Sequence, residues 1–170
     1  GRCRLLRNLF FDKERRFIHE ELGWNFRMTN LQAALGIAQL EKLDDSIARK
    51  RHIGLLYTEL LSGISDIQLP LKNTEYADNI YWVYGIVLRR GILFNATEAI
   101  KRLKRNNIGC RHFFWPMHIQ PVFQKMGLFK NESYPVAERL AKRGFYIPSG
   151  LALIDEQIKR VSDTIKEILR

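Results

Sequence analysis

Cysteine is nearly missing from this 170-residue chain: Cys3 and Cys110 are the only two, and no C-x-x-C pair occurs. So few thiols exclude a disulfide framework, and the spacing excludes a zinc ribbon or finger. The four histidines, His19, His52, His112 and His118, stand at no metal-ligand spacing. There is no G-x-S-x-G nucleophile elbow. The eleven glycines build no phosphate-cradling loop. No window supplies the roughly 18 uncharged apolar residues of a membrane-spanning helix. The opening GRCRLLRNLFF is basic and then apolar, but too short in its apolar part for a secretory leader. We therefore expect a cytoplasmic protein with no membrane partner and no bound metal.

What is abundant is positive charge. The formal net charge is +10, in a chain that is 46% hydrophobic and 27% charged. That balance is ordinary for a globular protein, and 170 residues suffice for a real core. The charge alone raises nucleic-acid binding as a possibility. The basic residues are dispersed, however, from Arg15 and Arg16 through Arg49 to Arg51, Arg89 and Arg90, and Lys101 to Arg105. No RNP-type aromatic motif accompanies them. A dispersed basic surface suits an anionic small substrate, so no nucleic-acid partner is expected.

Periodicity predicts an α+β chain. Arg2 to Leu9 reads as the end of a helix and Phe10 to Glu20 as a loop, as if residues 1–28 were the tail of a larger domain. Thr29 and Gln32 form a T-x-x-Q capping box, which opens a helix at Thr29. Apolar residues at Leu31, Leu35, Ala38, Leu40, Leu43 and Ile47 carry it onward to about Ser62, with Gly63 as its cap. We expect one long helix over residues 29–63, with or without a kink. Gly36 inside it costs roughly 1 kcal/mol relative to alanine, a cost repaid if another backbone approaches closely. Residues 64–170 then form a small domain. Ile67 to Leu71 is extended. Ile80 to Leu88, nearly all apolar, reads as a buried central strand. Asn95 and Glu98 suggest a second capping box. Cys110 to Phe114 reads as a strand and Trp115 to Gly127 as a loop. Tyr134 to Gly144 is a short helix, and Asp155 to Leu169 an amphipathic one.

Two stretches carry candidate chemistry. In L22-G-W-N-F-R-M28, side chains alternate, so Asn25 and Arg27 share one side. An amide beside a guanidinium suits a phosphate; equally, Asn25 suits a plain turn. In Phe113-Phe114-Trp115-Pro116-Met117-His118, aromatics beside a proline and a histidine suit stacking on a sugar or base. The same composition fits the edge of a packed core.

These stretches also carry a resemblance. GWNFRMTNLQAALGIAQLEKLD resembles the segment after the cofactor lysine in the DegT/DnrJ/EryC1/StrS aminotransferases. NIYWVYGIVL, FFWPMHIQPVFQKMGLF and YPVAERLAKRGFYIPSGLAL resemble that family's perosamine synthase branch. The resemblance implies the C-terminal portion of a fold-type I transferase dependent on pyridoxal phosphate. It implies a homodimer with shared active sites, acting on a nucleotide-sugar substrate with an amino-acid donor, glutamate. The product would be an amino sugar for surface polysaccharide. Asn25 and Arg27 would be cofactor-binding, and Phe114, Trp115 and His118 substrate-binding. His112 and Ile119 depart from the family pattern, which bears on the identity of the sugar. The resemblance places the Schiff-base lysine upstream, so this chain alone is expected to be inactive. The family's dehydratase branch, with histidine at the lysine position, and a non-catalytic interaction module remain alternatives.

Overall fold

The computed structural model describes residues 1–11, 14, 15 and 17–169. It divides into two compact units, residues 1–44 and 45–170. The first unit holds helix α1 (Arg2–Leu6) and helix α2 (Asn30–Leu40). Between them the chain doubles back. Leu9 N–H donates to the Trp24 carbonyl at 3.0 Å, and Phe26 N–H to the Arg7 carbonyl at 2.9 Å. Gly23 makes this approach possible, since a Cβ there would lie 2.4 Å from the Phe10 nitrogen. The expected capping box at the start of α2 is formed in both directions. Thr29 Oγ1 accepts from Gln32 N–H, and Gln32 Oε1 accepts from Thr29 N–H at 2.8 Å.

The single helix expected over 29–63 is instead two. Helix α2 closes with Glu41 N–H bonded to Ile37 O, and Lys42 N–H then tightens onto Gln39 O. Helix α3 runs from Leu43 to Leu61. The break falls where the apolar rhythm slips, stepping by two from Ala38 to Leu40 rather than by three or four. Gly36 repays no close approach within the chain: no described atom lies within 4 Å of a Cβ placed there. Gly63 follows the helix without adopting the left-handed conformation that favours a glycine cap.

The second unit is built on a four-stranded antiparallel sheet of order β1-β2-β4-β3. Its strands are β1 (Ile67–Gln68), β2 (Tyr84–Leu88), β3 (Arg111–His112) and β4 (Gly144–Ile147). Helices α4 (Ala96–Arg105), α5 (Pro121–Lys125), α6 (Pro135–Arg143) and α7 (Asp155–Leu169) connect and cover them. One face of β2 and β4 presents Tyr84, Ile86, Leu88, Phe145 and Ile147. These pack with Ile53, Tyr57 and Leu61 of α3, Leu103 of α4, and Ile158, Val161 and Ile165 of α7 into the core. Two of the core tyrosine hydroxyls are paired, Tyr57 Oη donating to Pro148 O and Tyr84 Oη meeting Thr58 Oγ1, both at 2.8 Å, while the buried Tyr81 Oη has no partner among the described residues.

The central strand is shorter than the apolar run over Ile80–Leu88. Tyr81 has φ 53°, a left-handed conformation that breaks strand geometry. Its amide is capped by Asn79 Oδ1 at 2.7 Å, and its ring lies where a Cβ on Gly54 of α3 would fall, 2.2 Å from Cγ. Strand β4 begins directly at Gly144, the residue after α6, with no linker between them. At α4 the second capping box is half formed: Asn95 Oδ1 accepts Glu98 N–H at 3.1 Å, while the Glu98 carboxylate turns to Arg102. The loop after Trp115 contains a 3-10 turn at Met117–Ile119 and then α5.

Candidate functional site

In the first unit, Asn25 pairs with Asn8 as an isolated antiparallel bridge. The neighbouring rings of Trp24 and Phe26 stack at 6.2 Å. Asn25 and Arg27 are both exposed. Arg27 donates to Asn8 Oδ1 at 3.2 Å and has no carboxylate partner among the described residues. An exposed amide and a guanidinium not neutralised by a carboxylate are a donor set that fits a phosphate monoester.

In the second unit, the other face of the sheet builds the aromatic surface. Gly85 of β2 and Gly144 of β4 have no side chains, and the Phe113 ring fills the slot they leave. A Cβ on Gly144 would lie 2.4 Å from that ring, and one on Gly85 2.8 Å. Tyr146 stacks on Phe113 at 6.5 Å. Seated this way, Phe113 aims the following residues outward: Phe114 is 75% exposed and Trp115 53%. They line a cavity of about 520 Å³ together with Val83, Met117, Leu140 and Tyr146. A second cavity of about 610 Å³ shares Phe113 and Trp115 but has a polar wall of Asn95, His112, Glu138 and Lys142.

His118 does not line either cavity with the aromatics. It is 6% exposed, and its Nε2 lies 2.9 Å from Glu138 Oε1. Its ring stands edge-on to Tyr134 at 4.9 Å. Glu138 also accepts the Tyr134 amide at 2.9 Å and the Ser133 hydroxyl at 3.4 Å. The backbone donor at Tyr134, then the His118 hydrogen bond, hold the Glu138 carboxyl below the usual carboxylate range. Trp115 Nε1 donates to Ile119 O at 3.2 Å, closing the loop on itself.

The structure thus gathers Asn25 and Arg27 in one unit, and Phe114, Trp115 and His118 in the other. The sequence did not single out Glu138 or the Gly85–Gly144 slot. A carboxylate early in a helix that opens with proline was a signal for Glu138. The glycine slot left none, because it joins residues from two strands. Among the described residues, no three His, Cys, Asp or Glu side chains group as metal ligands, and no helix is long and apolar enough to cross a membrane.

The fold is that of the C-terminal portion of fold-type I transferases. The chain superposes on Helicobacter pylori PseC, an aminotransferase involved in the biosynthesis of pseudoaminic acid, with a TM-score of 0.85 at 18% identity, covering 98% of this chain and 44% of that one. The model of the DegT/DnrJ/EryC1/StrS aminotransferase family matches residues 1–166, and the chain belongs to that family. It is 32% identical to the GDP-perosamine synthase of Vibrio cholerae, over 97% of this chain and 44% of the relative. It is 31% identical to a putative pyridoxal phosphate-dependent aminotransferase, EpsN, of Bacillus subtilis, over 86% of this chain and 37% of the relative. The chain therefore spans less than half the length of the curated relatives it matches.

Proposed function

We propose that this chain is the C-terminal part of a pyridoxal-phosphate-dependent aminotransferase of the perosamine synthase type. The whole protein would transfer an amino group from glutamate to a 4-keto-6-deoxy sugar nucleotide, for surface polysaccharide. The observation that carries this reading is the match of residues 1–166 to the aminotransferase family together with the similarity to GDP-perosamine synthases.

The residues fit such a role. Asn25 and Arg27 offer the phosphate of the cofactor an amide and a guanidinium. The cofactor, when bound, supplies the electron sink and the carrier for the amino group. Phe114 and Trp115 give the sugar nucleotide an apolar, stackable wall that excludes water. His118, in the same loop, is buried and held by Glu138. The lysine that would hold the cofactor covalently is assigned to the part of the protein upstream of this chain. A homodimer follows from the same reading, because the exposed apolar residues of the first unit need cover.

The test is an assay of the whole protein with glutamate and a GDP-linked 4-keto-6-deoxyhexose, read by mass spectrometry. An amino sugar nucleotide and stoichiometric 2-oxoglutarate are expected. A deoxygenated sugar without nitrogen would place the protein in the dehydratase branch. No conversion of any keto sugar nucleotide would favour a non-catalytic module.

A further inference from the structure

The two cavities beside the aromatic loop belong to the site already described. A third does not. It lies between α3 and the segment 71–81, has a volume of about 240 Å³, and is lined by Arg51, Leu55, Lys72, Asp78, Asn79 and Tyr81. All six belong to the second unit, and none of them lines either aromatic cavity.

The segment is pinned by its own hydrogen bonds. Thr74 N–H donates to Ala77 O at 2.8 Å, closing a turn, and Asn73 and Asp78 pair across it as an isolated bridge. Asn79 ties the two arms together. Its N–H donates to Lys72 O and its Nδ2 to Leu71 O, both at 2.9 Å, while its Oδ1 accepts the Tyr81 N–H at 2.7 Å. Tyr81 is left-handed at that point, with φ 53°. Such a conformation in a non-glycine residue persists only where its surroundings hold it. Lys72 and Asp78 thus stand on opposite arms of a fixed turn. Facing them are Arg51 and Leu55, four residues apart and so on one face of α3.

The charges in this cavity are unspent. Arg51, Lys72 and Asp78 are exposed, and none of their side chains has an ion pair or hydrogen bond among the described residues. The Asn79 side chain is committed at both its oxygen and its nitrogen. Tyr81 contributes its ring, since its hydroxyl is enclosed. What faces a ligand is therefore two cations, one carboxylate and an apolar wall of Leu55 and the Tyr81 ring.

We propose that this cavity binds an α-amino dicarboxylic acid. Arg51 and Lys72 each take one carboxylate, Asp78 takes the ammonium group, and the carbon chain lies against Leu55 and the Tyr81 ring. Guanidinium and ammonium groups form charge-assisted hydrogen bonds with carboxylates. Asp78 disfavours a plain anion, phosphate included, by like charge, and rewards a ligand that also carries a cation. Two cations and one anion leave the cavity a net charge of +1, the complement of the ligand's −1. The site is additional to the one under the amino-transfer reading and does not rest on that reading.

Hydrogen exchange read by mass spectrometry tests this in the whole protein, because it separates binding here from glutamate bound elsewhere. L-Glutamate should slow exchange in peptides spanning residues 71–81, where the hydrogen-bonded amides of Thr74, Asn79 and Tyr81 report, and the effect should saturate. Glutarate lacks the ammonium and 4-aminobutanoate lacks the α-carboxylate. Each should need about ten times the concentration for the same protection, and inorganic phosphate should give none. Lys72→Met and Asp78→Asn should each raise the half-saturating L-glutamate concentration about tenfold. Neither should change exchange of the ligand-free segment, since the side chains replaced have no partner to lose. No protection of this segment by L-glutamate overturns the proposal. Equal protection by glutarate or phosphate overturns it too, marking a plain anion site, as does protection that survives both substitutions. Amino transfer in a protein that shows no protection here would leave the functional reading standing and remove this site alone.

Discussion

At the scale of single residues, the two cysteines are set apart by their surroundings. Burial pushes the Cys110 thiol up to about 12, while Cys3 is exposed. Since the thiolate is the reactive form, Cys110 stays inert at neutral pH. Alkylation with iodoacetamide at pH 8 should modify Cys3 and spare Cys110, as read by peptide mapping; comparable labelling of both would show that the packing around Cys110 opens readily. Asn25 gives a second contrast. Its bridge to Asn8 is made by backbone, and its side chain is exposed. Asn25→Ala should therefore leave the melting temperature of the protein unchanged. If the side chain grips the cofactor phosphate, a charge-assisted hydrogen bond of roughly 1.5–3 kcal/mol is lost, and cofactor retention weakens about 10- to 150-fold. Catalysis at saturating cofactor should suffer less, because the phosphate is held alike in ground and transition states. Lower stability with unchanged cofactor affinity would assign Asn25 to turn formation alone.

At the scale of elements, two helical glycines have opposite meanings. Gly36 in α2 faces open space, whereas Gly54 in α3 leaves room for the Tyr81 ring. Gly36→Ala should stabilise the chain by about 0.5–1 kcal/mol through helix propensity. Gly54→Ala should cost about 1–3 kcal/mol, since overpacking displaces a buried ring. Denaturant titration of both variants decides it, and equal signs would contradict the packing. The helices were legible in the sequence because their signals are local: the Thr29–Gln32 box, the Asn95 cap, the stripe of Ile158, Val161 and Ile165. What escaped depends on distant partners. Tyr81 leaves the strand pattern because Gly54, far away in sequence, has space for it. Strand β4 has four residues and follows a helix without a turn, so periodicity had nothing to count. The aromatic loop and its histidine were visible as composition, but the burial of His118 against Glu138 was not. A further device joins α3 to the segment before α7. Tyr57 donates to Pro148 O, Lys50 to Ser149 O and Arg49 to Leu153 O, and His52 meets Asp155 at 2.9 Å. The His52 hydrogen bond, then the nearby charges of His52 and Arg49, hold the Asp155 carboxyl below its ordinary value. A carboxyl depressed in the folded state contributes stability above its unfolded pKa, roughly 3.9, and loses it as pH falls through the folded value. Stability should thus decline with acid below about pH 4, and Asp155→Asn should flatten that part of the profile. An identical acid limb in the variant would remove Asp155 from the account.

At the scale of the whole molecule, the two units differ in what they bury. The core is drawn entirely from residues beyond position 52. No described residue between 1 and 44 is buried, and neither α1 nor α2 has a buried side chain. Yet this stretch is rich in large apolar groups: Leu22, Phe26, Met28, Leu31, Leu35 and Leu40 are all exposed. A helix gains most of its stability from packing one apolar face, not from propensity. With no core of its own, the first unit needs cover from elsewhere to offset the entropy of ordering it. So many large exposed apolar groups in one short stretch fit an interface. The chain in isolation should therefore associate with itself or bind an apolar dye, and its concentration-dependent mass should be read by sedimentation. Replacing Leu31 and Leu35 together by lysine should shift it toward monomer without lowering the denaturation midpoint of residues 45–170, since neither leucine is part of that core. A wild-type chain that stays monomeric and dye-silent at high concentration would show that residues 1–44 need no partner, and would count against the shared-site dimer. If association is seen, Gly36→Ala separates two kinds of cover. A partner backbone packed on α2 would be pushed away by the added methyl group, weakening association while the helix itself is stabilised. A partner that touches only the leucines would leave association unchanged.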